Sequence, residues 1–163
     1  MAQYINRKEY IGKLLSYKDK DLIKVVSGLR RSGKSTLLEI YQEHLLKHGI
    51  GKRQVQFYNF ELPENYLNKT WSDIYFEIKK KMQSNKTNYV FLDEVQNIPF
   101  FEKLVDGLFA TENTDIYITG SNAFLLSSEL ATLLSGRYIE VSILPFSFKE
   151  YLTARNIDTG DRY

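Results

Sequence analysis

Short apolar runs alternate along this chain with longer segments whose apolar residues recur at helical spacing. Runs such as Tyr89–Leu92, with four successive apolar residues, are typical of strands buried on both faces of a sheet. The predicted strands cover residues 22–26, 55–60, 89–92, 116–118 and 138–143. The predicted helices cover residues 7–16, 34–48, 71–82, a segment that begins at Pro99, about 124–134 and about 148–155. Strands that alternate with helices predict an α/β fold with a parallel sheet between helical layers.

Two of the predicted helices have a recognisable cap. Thr70 and Asp73 have the spacing of a capping box, in which each side chain bonds the backbone N–H of the other residue. Ser147 and Glu150 repeat this spacing ahead of the last predicted helix. We therefore expect helices to begin after Thr70 and after Ser147.

Composition and charge limit the classes of protein to which the chain can belong. Its 163 residues are the length of one domain, so we expect residues 1–163 to form a single domain. The absence of cysteine excludes disulfides, thiolate metal sites and a cysteine nucleophile. A formal charge of +2 gives no support for a nucleic-acid partner, although it does not exclude one. The first residues lack the apolar core of a signal peptide, and no apolar run approaches ~18 residues, so we expect a cytoplasmic protein without a membrane partner.

The segment between the first predicted strand and the next helix has the sequence pattern of a phosphate-binding loop. Residues 28–35 read Gly-Leu-Arg-Arg-Ser-Gly-Lys-Ser, a complete G-x-x-x-x-G-K-[ST] match in the strand–loop–helix context that the motif needs. Lys34 would reach the β/γ-phosphates and the Ser35 hydroxyl would ligate Mg²⁺. A flexible glycine turn without function is the alternative. The predicted nucleotide-contacting residues are Gly28, Leu29, Arg30, Arg31, Ser32, Gly33, Lys34, Ser35 and Thr36.

Two carboxylates follow the third predicted strand. Because ligands bind outside the carboxyl ends of parallel strands, we expect Asp93 and Glu94 to lie beside the loop. Asp93 could hold Mg²⁺, through a water, and Glu94 could polarise the water that attacks the phosphate. An exposed acidic turn is the alternative interpretation.

Two later segments carry further candidate catalytic side chains. Ser121 or Asn122, after the fourth strand, could contact the γ-phosphate or the water held by Glu94, but Gly-Ser-Asn is also ordinary turn sequence. The sequence does not separate these two residues. Arg137 precedes the fifth strand, where it could stabilise charge on the nucleotide of a neighbouring subunit. A surface salt bridge would explain Arg137 almost as well.

Taken in order, these segments resemble one family. The loop, Phe-Leu-Asp-Glu-Val-Gln at 91–96, Ile-Thr-Gly-Ser-Asn at 118–122, Leu-Ser-Gly-Arg-Tyr at 134–138 and Leu-Pro-Phe-Ser-Phe-Lys-Glu-Tyr at 144–151 are similar to motifs of the prokaryotic AAA-type P-loop ATPases of the AAA_14 group. The resemblance spans about residues 23–152. It implies ATP, Mg²⁺ and an AAA-like three-layer α/β sandwich with a five-stranded parallel sheet of order 5-1-4-3-2.

The resemblance also implies roles and missing parts. It assigns Asp93 and Glu94 to Walker B, and the polar residue after strand four to sensor 1. Family members usually continue into a helical lid and a C-terminal DUF4143 region that is often described as nuclease-like. Because this chain stops at Tyr163, we expect the ATPase core of a longer protein, and its hydrolysis in isolation is an open question.

These features predict an ATPase whose hydrolysis changes the conformation of a partner domain or macromolecule, with a homo-oligomer as the setting in which Arg137 would act. A GTPase would need Asn-Lys-x-Asp after a strand, and the nearest match, Asn85–Asn88, lacks the aspartate and precedes a strand. A small-molecule kinase shares the loop, but the Asp-Glu pair favours water as the acceptor. A nucleotide-dependent interaction module with little turnover is the remaining alternative.

Overall fold

The computed structural model describes residues 7–120, 134, 136–148 and 150 of the chain. In this part of the chain the strands are β1 (Ile23–Gly28), β2 (Val55–Asn59), β3 (Asn88–Asp93), β4 (Thr114–Thr119) and β5 (Tyr138–Ile143). They form one sheet in the order β2-β3-β4-β1-β5, and every neighbouring pair is parallel. The order 5-1-4-3-2 that the family resemblance implied is therefore confirmed.

Helices cover both faces of this sheet. The described α-helices are α1 (Lys8–Ser16), α2 (Lys34–Lys47), α3 (Trp71–Lys81) and α4 (Phe101–Phe109), and short 3-10 turns lie at Lys52–Gln54, Pro63–Asn65 and Val95–Asn97. Leu14 of α1 and Leu38 of α2 belong to one buried cluster. Ile74 of α3 and Leu104 of α4 belong to the cluster on the other face. The architecture is the predicted three-layer α/β sandwich.

Burial along each strand follows its position in the sheet. All residues of β1 and β3 are buried, whereas the edge strands β2 and β5 are partly exposed. A central strand with helices above and below it must be apolar along nearly its whole length. The run Tyr89–Leu92 therefore correctly indicated a strand inside the sheet.

Both predicted caps are present. The Thr70 hydroxyl accepts the Asp73 N–H at 3.2 Å, and the Asp73 carboxylate accepts the Thr70 N–H at 2.8 Å. Ser147 and Glu150 make the same reciprocal pair, at 3.2 and 2.7 Å. Beyond Glu150 the last predicted helix lies outside the described residues, as does most of the helix predicted for 124–134.

One helix begins later than predicted. The helix expected to start at Pro99 starts at Phe101, after the 3-10 turn Val95–Asn97. Phe100 precedes it with a φ of 59°, a left-handed conformation that hydrophobic periodicity does not reveal. None of the described helices combines the length and the apolar character that a membrane crossing needs.

Candidate nucleotide-binding site

The loop between β1 and α2 depends on its two glycines. A Cβ on Gly28 would lie 2.7 Å from the Ile143 carbonyl oxygen of β5 and 2.6 Å from Ser32 Oγ, so the close approach leaves no room for a side chain. Gly33 has a φ of +92°, a conformation that glycine adopts without strain. Gly28 therefore permits close packing, and Gly33 permits the turn into α2.

The amino terminus of α2 is open. Its N-cap residue is Gly33, and no side chain caps it. The first N–H groups of a helix have no acceptor within the helix, and the helix dipole adds positive potential at this end. This end of α2 is suited to an anion such as phosphate.

Lys34 is a buried cation beside this helix end. Only 4% of its side chain is exposed, and its Nζ lies 3.5 Å from Glu94 Oε1. The same Nζ lies 3.5 Å from the Gly28 carbonyl oxygen and 3.4 Å from that of Leu29. These distances are long for hydrogen bonds. The ammonium group is therefore near several acceptors without a close bond to any of them.

Asp93, the last residue of β3, is fully buried next to the end of β4. Its Oδ1 accepts a hydrogen bond from the hydroxyl of Thr119, the last residue of β4. The same Thr119 oxygen accepts the Glu94 N–H at 2.9 Å. Burial raises the pKa of Asp93 above its ordinary value, and the Thr119 and Ser35 hydroxyls act in the opposite direction. Thr119 thus ties both acidic residues to the neighbouring strand.

Glu94 is held in an unusual backbone conformation. Its φ is 57°, in the left-handed region that a non-glycine residue occupies at some energetic cost. Its Oε1 faces Lys34, while its Oε2 accepts a hydrogen bond from the Gln96 side-chain amide. Strained residues of this kind are common where a side chain must be aimed at a ligand.

Three buried side-chain atoms lack a hydrogen-bond partner in the described part of the chain. They are Ser32 Oγ, Asp93 Oδ2 and Gln96 Oε1. Buried polar atoms are nearly always hydrogen-bonded in folded proteins, so each exception calls for an explanation. Because all three lie in the loop, at the end of β3 or within three residues after it, a polar ligand bound here would supply the missing partners.

Part of the loop and Glu94 face an open cleft of about 470 Å³, whereas Asp93 is fully buried and does not line it. Its lining residues are Arg30, Arg31, Gly33, Lys34, Ser35, Thr36, Glu61, Glu94 and Phe146. A second cleft of about 300 Å³ shares Arg30, Lys34, Glu61 and Glu94 with the first and adds Gln96 and Asn97. Both volumes are in the range of small-molecule sites. We call the two together the nucleotide cleft.

The residues at the cleft fit a magnesium ion that is bound together with phosphate. Across the described ranges, no group of three or more His, Asp or Glu side chains could hold a metal alone. Mg²⁺ is usually held by only one or two protein groups, with substrate phosphates and waters completing its shell. Asp93 Oδ2 has no partner, and the Ser35 hydroxyl is close enough to lower the pKa of Asp93. Asp93 and Ser35 remain the candidate ligands.

Arg137 lies at the opposite end of the sheet. Its carbonyl oxygen accepts the N–H of Ile23, the first residue of β1, whereas the loop follows the last residue of that strand. The length of β1, on the order of 16–20 Å, therefore separates it from the phosphate-binding loop of its own chain. Its guanidinium pairs with Asp106 at 2.9 Å and lies over the ring of Phe109. A role at a neighbour's nucleotide stays a prediction.

Sequence reasoning missed four residues that line the cleft, Glu61, Gln96, Asn97 and Phe146, and did not single out Thr119, which supports Asp93 and Glu94. It also named two residues that cannot be located in the structure. Ser121 and Asn122 lie outside the described residues, so their predicted roles stay predictions. Thr119 belongs to the segment 119–122 that was considered at the end of the fourth strand, but Ser121 and Asn122 were favoured there instead. Glu61 and Gln96 follow β2 and β3 within three residues, and their nearness to strand ends was the signal that could have identified them.

A known family matches most of this chain. The family model AAA_14, described as an AAA domain, matches residues 20–152. The chain belongs to the AAA_14 family. The matched segment contains the loop, both acidic residues after β3 and the segment from 144 to 151, so the resemblance predicted from these motifs is confirmed.

Relatives of this AAA_14 domain occur in bacteria and archaea. An uncharacterized protein of Haemophilus influenzae is 48% identical over 159 residues, which cover 97% of this chain and 40% of the relative. An uncharacterized protein of Methanocaldococcus jannaschii is 36% identical over 163 residues, 99% of this chain and 34% of the relative. The chain thus spans between a third and two fifths of these relatives.

Solved structures share the fold of the domain at low sequence identity. Saccharomyces cerevisiae RIF2 matches with a TM-score of 0.60 and 14% identity, over 99% of this chain and 66% of that one. Drosophila ORC bound to AT-rich DNA and Cdc6 matches with a TM-score of 0.56 and 13% identity, over 93% of this chain and 59% of that one. C. elegans PCH-2 matches with a TM-score of 0.51 and 16% identity, over 90% of this chain and 42% of that one. At this identity the likeness concerns the fold alone.

Proposed function

We propose that this AAA_14 domain binds ATP together with Mg²⁺ and hydrolyses it. The observation that carries the proposal is the convergence of Lys34, Glu94 and the unpartnered Oδ2 of Asp93 beside the open end of α2. A helix terminus and a lysine attract phosphate, and a carboxylate oxygen attracts the metal that accompanies it. A metal–triphosphate is therefore the ligand class that matches all of these groups at once.

Each residue has a distinct role in this proposal. The loop N–H groups and Lys34 bind phosphate oxygens, while Ser35 and Asp93 hold the metal, which neutralises negative charge on the phosphates. Glu94 orients and polarises the attacking water. Thr119 fixes Asp93 and Glu94 relative to each other through its hydroxyl. Catalysis then depends on positioning and charge neutralisation rather than on a covalent intermediate.

The work driven by hydrolysis is proposed to lie outside this domain. Because the chain spans 40% and 34% of its two relatives, we propose that nucleotide state changes the conformation of a partner domain in a longer protein, such as a C-terminal nuclease-like region. The Drosophila ORC structure includes AT-rich DNA. The formal charge of +2 gives this domain no comparable argument for DNA, so we propose none.

A phosphate-release assay with the Glu94→Gln variant tests hydrolysis. The glutamine can still hydrogen-bond but cannot act as a base, so turnover should fall by roughly 10²–10⁴ while ATP still binds. The assay compares ATP with GTP and uses Glu102→Gln, a carboxylate removed from α4, as the matched control. Unchanged turnover in Glu94→Gln would place catalysis elsewhere. Binding without turnover in the parent would favour the interaction module, and a preference for GTP would favour a GTPase.

Arg137 is proposed to act on the nucleotide of a neighbouring subunit. It sits beside the edge strand β5, where a second copy could approach, and too far from its own loop. An arginine supplied in this way can contribute 10³–10⁵-fold to hydrolysis in P-loop enzymes. A mixture of Arg137→Ala and Lys34→Ala should then recover activity that neither has alone. No recovery, with a specific rate independent of protein concentration, would leave Arg137 as the surface partner of Asp106.

A further inference from the structure

Arg7, which precedes α1, is a buried side chain that joins the phosphate-binding loop to the segment after β5. Its Nη1 donates to the Ser32 carbonyl oxygen at 3.2 Å, and its Nη2 donates to the Leu144 carbonyl oxygen at 2.8 Å. Its Nε and Nη2 form a forked ion pair with the Glu150 carboxylate, at 2.8 and 3.2 Å. Only 6% of the Arg7 side chain is exposed.

Two aromatic rings hold the guanidinium in place. Its central carbon lies 4.9 Å from the ring centre of Tyr10 and 4.9 Å from that of Phe146. Phe146 also lines the nucleotide cleft beside Gly33. A planar guanidinium that stacks on rings and forks onto a carboxylate cannot be replaced by the point charge of lysine. The site is therefore built for arginine.

The hydrogen bond from Arg7 to Ser32 fixes the peptide unit between Ser32 and Gly33 in the phosphate-binding loop. A trans peptide is planar, so the carbonyl of Ser32 and the N–H of Gly33 point in opposite directions. The described residues contain no cis peptide. Since Arg7 binds the Ser32 oxygen, the Gly33 N–H points away from Arg7, and Gly33 lines the cleft. Arg7 thus orients a phosphate-binding donor without touching the ligand.

Glu150 is the other end of this connection. It caps the start of the last helix with Ser147, and its carboxylate is occupied by Arg7. The hydrogen bond from Arg7 is the main reason that the pKa of Glu150 is lowered to about 2. Among the described residues of the motif at 144–151, Phe146 lines the nucleotide cleft, and Glu150 pairs with Arg7.

We propose that Arg7 is a positioning residue that couples phosphate occupancy of the loop to the helix beginning at Ser147, through Ser32 on one side and Glu150 on the other. This rests on the proposed ATP binding and adds the route by which nucleotide state leaves the cleft. Coupling of this kind is reciprocal, so a change at Glu150 must alter nucleotide affinity although Glu150 does not line the cleft.

The test is a double-mutant cycle read by calorimetric titration of ATP with Mg²⁺. Arg7→Lys, which keeps the charge and loses the fork, should weaken ATP binding on the order of tenfold, the effect of one charge-assisted hydrogen bond. Glu150→Gln should weaken it several-fold, and the double variant should be no weaker than Arg7→Lys. The matched control is Glu77→Gln on α3. It removes the ion pairs of Glu77 with Lys69 and Lys81 and should leave ATP affinity unchanged.

We call the contacts of Arg7 with Ser32 and Glu150 the clamp. A second readout, the backbone amide resonance of Gly33 in the nucleotide-free protein, reports on the clamp directly. It should shift in Arg7→Lys and in Glu150→Gln, but not in Glu77→Gln. ATP affinities within twofold of the parent, additive losses in the double variant, or an unmoved Gly33 resonance would overturn the coupling. A parent protein that binds no ATP would instead refute the proposed function, and the Gly33 resonance would still decide whether the clamp exists.

Discussion

Two buried polar regions lie at opposite ends of the same sheet, and their hydrogen bonding differs. At the amino ends of β1 and β4, Lys24 Nζ contacts Asp115 Oδ1 and the Lys20 carbonyl oxygen, both at 2.6 Å. Asp115 Oδ2 accepts the Tyr117 hydroxyl at 3.0 Å, and Tyr117 bonds Tyr41 at 3.0 Å. Burial and the Asp115 charge raise the pKa of Tyr117, so it stays a neutral donor. We call these residues the amino-end network.

At the nucleotide cleft, at the carboxyl ends of the strands, the buried polar groups lack such close hydrogen bonds. Lys34 is nearly as buried as Lys24, but its contacts are 3.4 to 3.5 Å long. Every unpartnered buried side-chain atom of the described residues lies in the loop, at the end of β3 or within three residues after it. A buried ion pair that stabilises only the fold satisfies all its groups from within the protein. The comparison therefore supports the proposal that the polar groups at the cleft bind a ligand.

Substitution of the two buried lysines gives the largest expected contrast. Lys24→Ala leaves Asp115 as an uncompensated buried charge, so it should lower the free energy of unfolding by about 3–5 kcal/mol. Lys34→Ala removes only long contacts and should change that free energy by about 1 kcal/mol or less. Urea unfolding without nucleotide measures both. Equal losses would mean that the two regions do not differ in the way described.

Removal of the Thr119 hydroxyl tests the hydrogen bond that supports Asp93 Oδ1. Thr119→Val should lower the free energy of unfolding by about 1–3 kcal/mol, because the Glu94 N–H loses its acceptor and Asp93 Oδ1 its donor. The matched control is Thr114→Val at the other end of the same strand, where the hydroxyl makes a 3.4 Å contact. A loss of unfolding free energy no greater than that of Thr114→Val would contradict the bridging role of Thr119.

Much of the fold was predictable because its signals are local. Central strands such as Tyr89–Leu92 are apolar throughout, helices repeat their apolar residues along one stripe, and Gly28, Gly33 and Lys34 lie within one short loop. The order of the strands came from the family resemblance. Local pattern and family motif together were sufficient for the sheet and the loop.

The contacts that complete the site could not be predicted in the same way. Arg7 is 25 residues from Ser32 and 143 residues from Glu150, and Thr119 is 26 residues from Asp93. No sequence spacing announces such pairs, since they exist only once the strands lie side by side. The left-handed backbone of Phe100 likewise shifted a helix start that periodicity placed at Pro99.

Asp93→Asn should change the free energy of unfolding in the opposite direction to a substitution in the amino-end network. Burial raises the pKa of Asp93, so its ionised form opposes folding at neutral pH. We expect the variant to be as stable as the parent or up to about 1 kcal/mol more stable without nucleotide, as active-site residues often are when replaced. The difference should vanish in acid, where both states are protonated. Asp115→Asn, the matched control, should be destabilised instead, although burial raises the pKa of Asp115 as well, because this variant leaves Lys24 as an uncompensated buried charge. A similar loss in Asp93→Asn would contradict the comparison.

The smallest expected effect concerns Glu150 and pH. Its pKa is lowered to about 2 by Arg7, so the stability it contributes is present above its ordinary pKa of 4.5 and is lost as pH falls toward 2. A partly exposed pair of this kind contributes about 1 kcal/mol or less. The unfolding free energies of the parent and Glu150→Gln should differ at pH 7 and converge near pH 2. A difference that does not change with pH would rule out the ion pair as its source.

The central claim, that the unsatisfied groups of the nucleotide cleft exist to bind a metal–triphosphate, is tested most directly by calorimetric titration of ATP into the parent and into Lys34→Ala. We expect one ATP to bind per chain in the parent, more tightly with Mg²⁺ than without, and no detectable binding in a Lys34→Ala protein that remains folded. ATP affinity in Lys34→Ala within a few-fold of the parent, or binding in the parent that is indifferent to Mg²⁺, would contradict it.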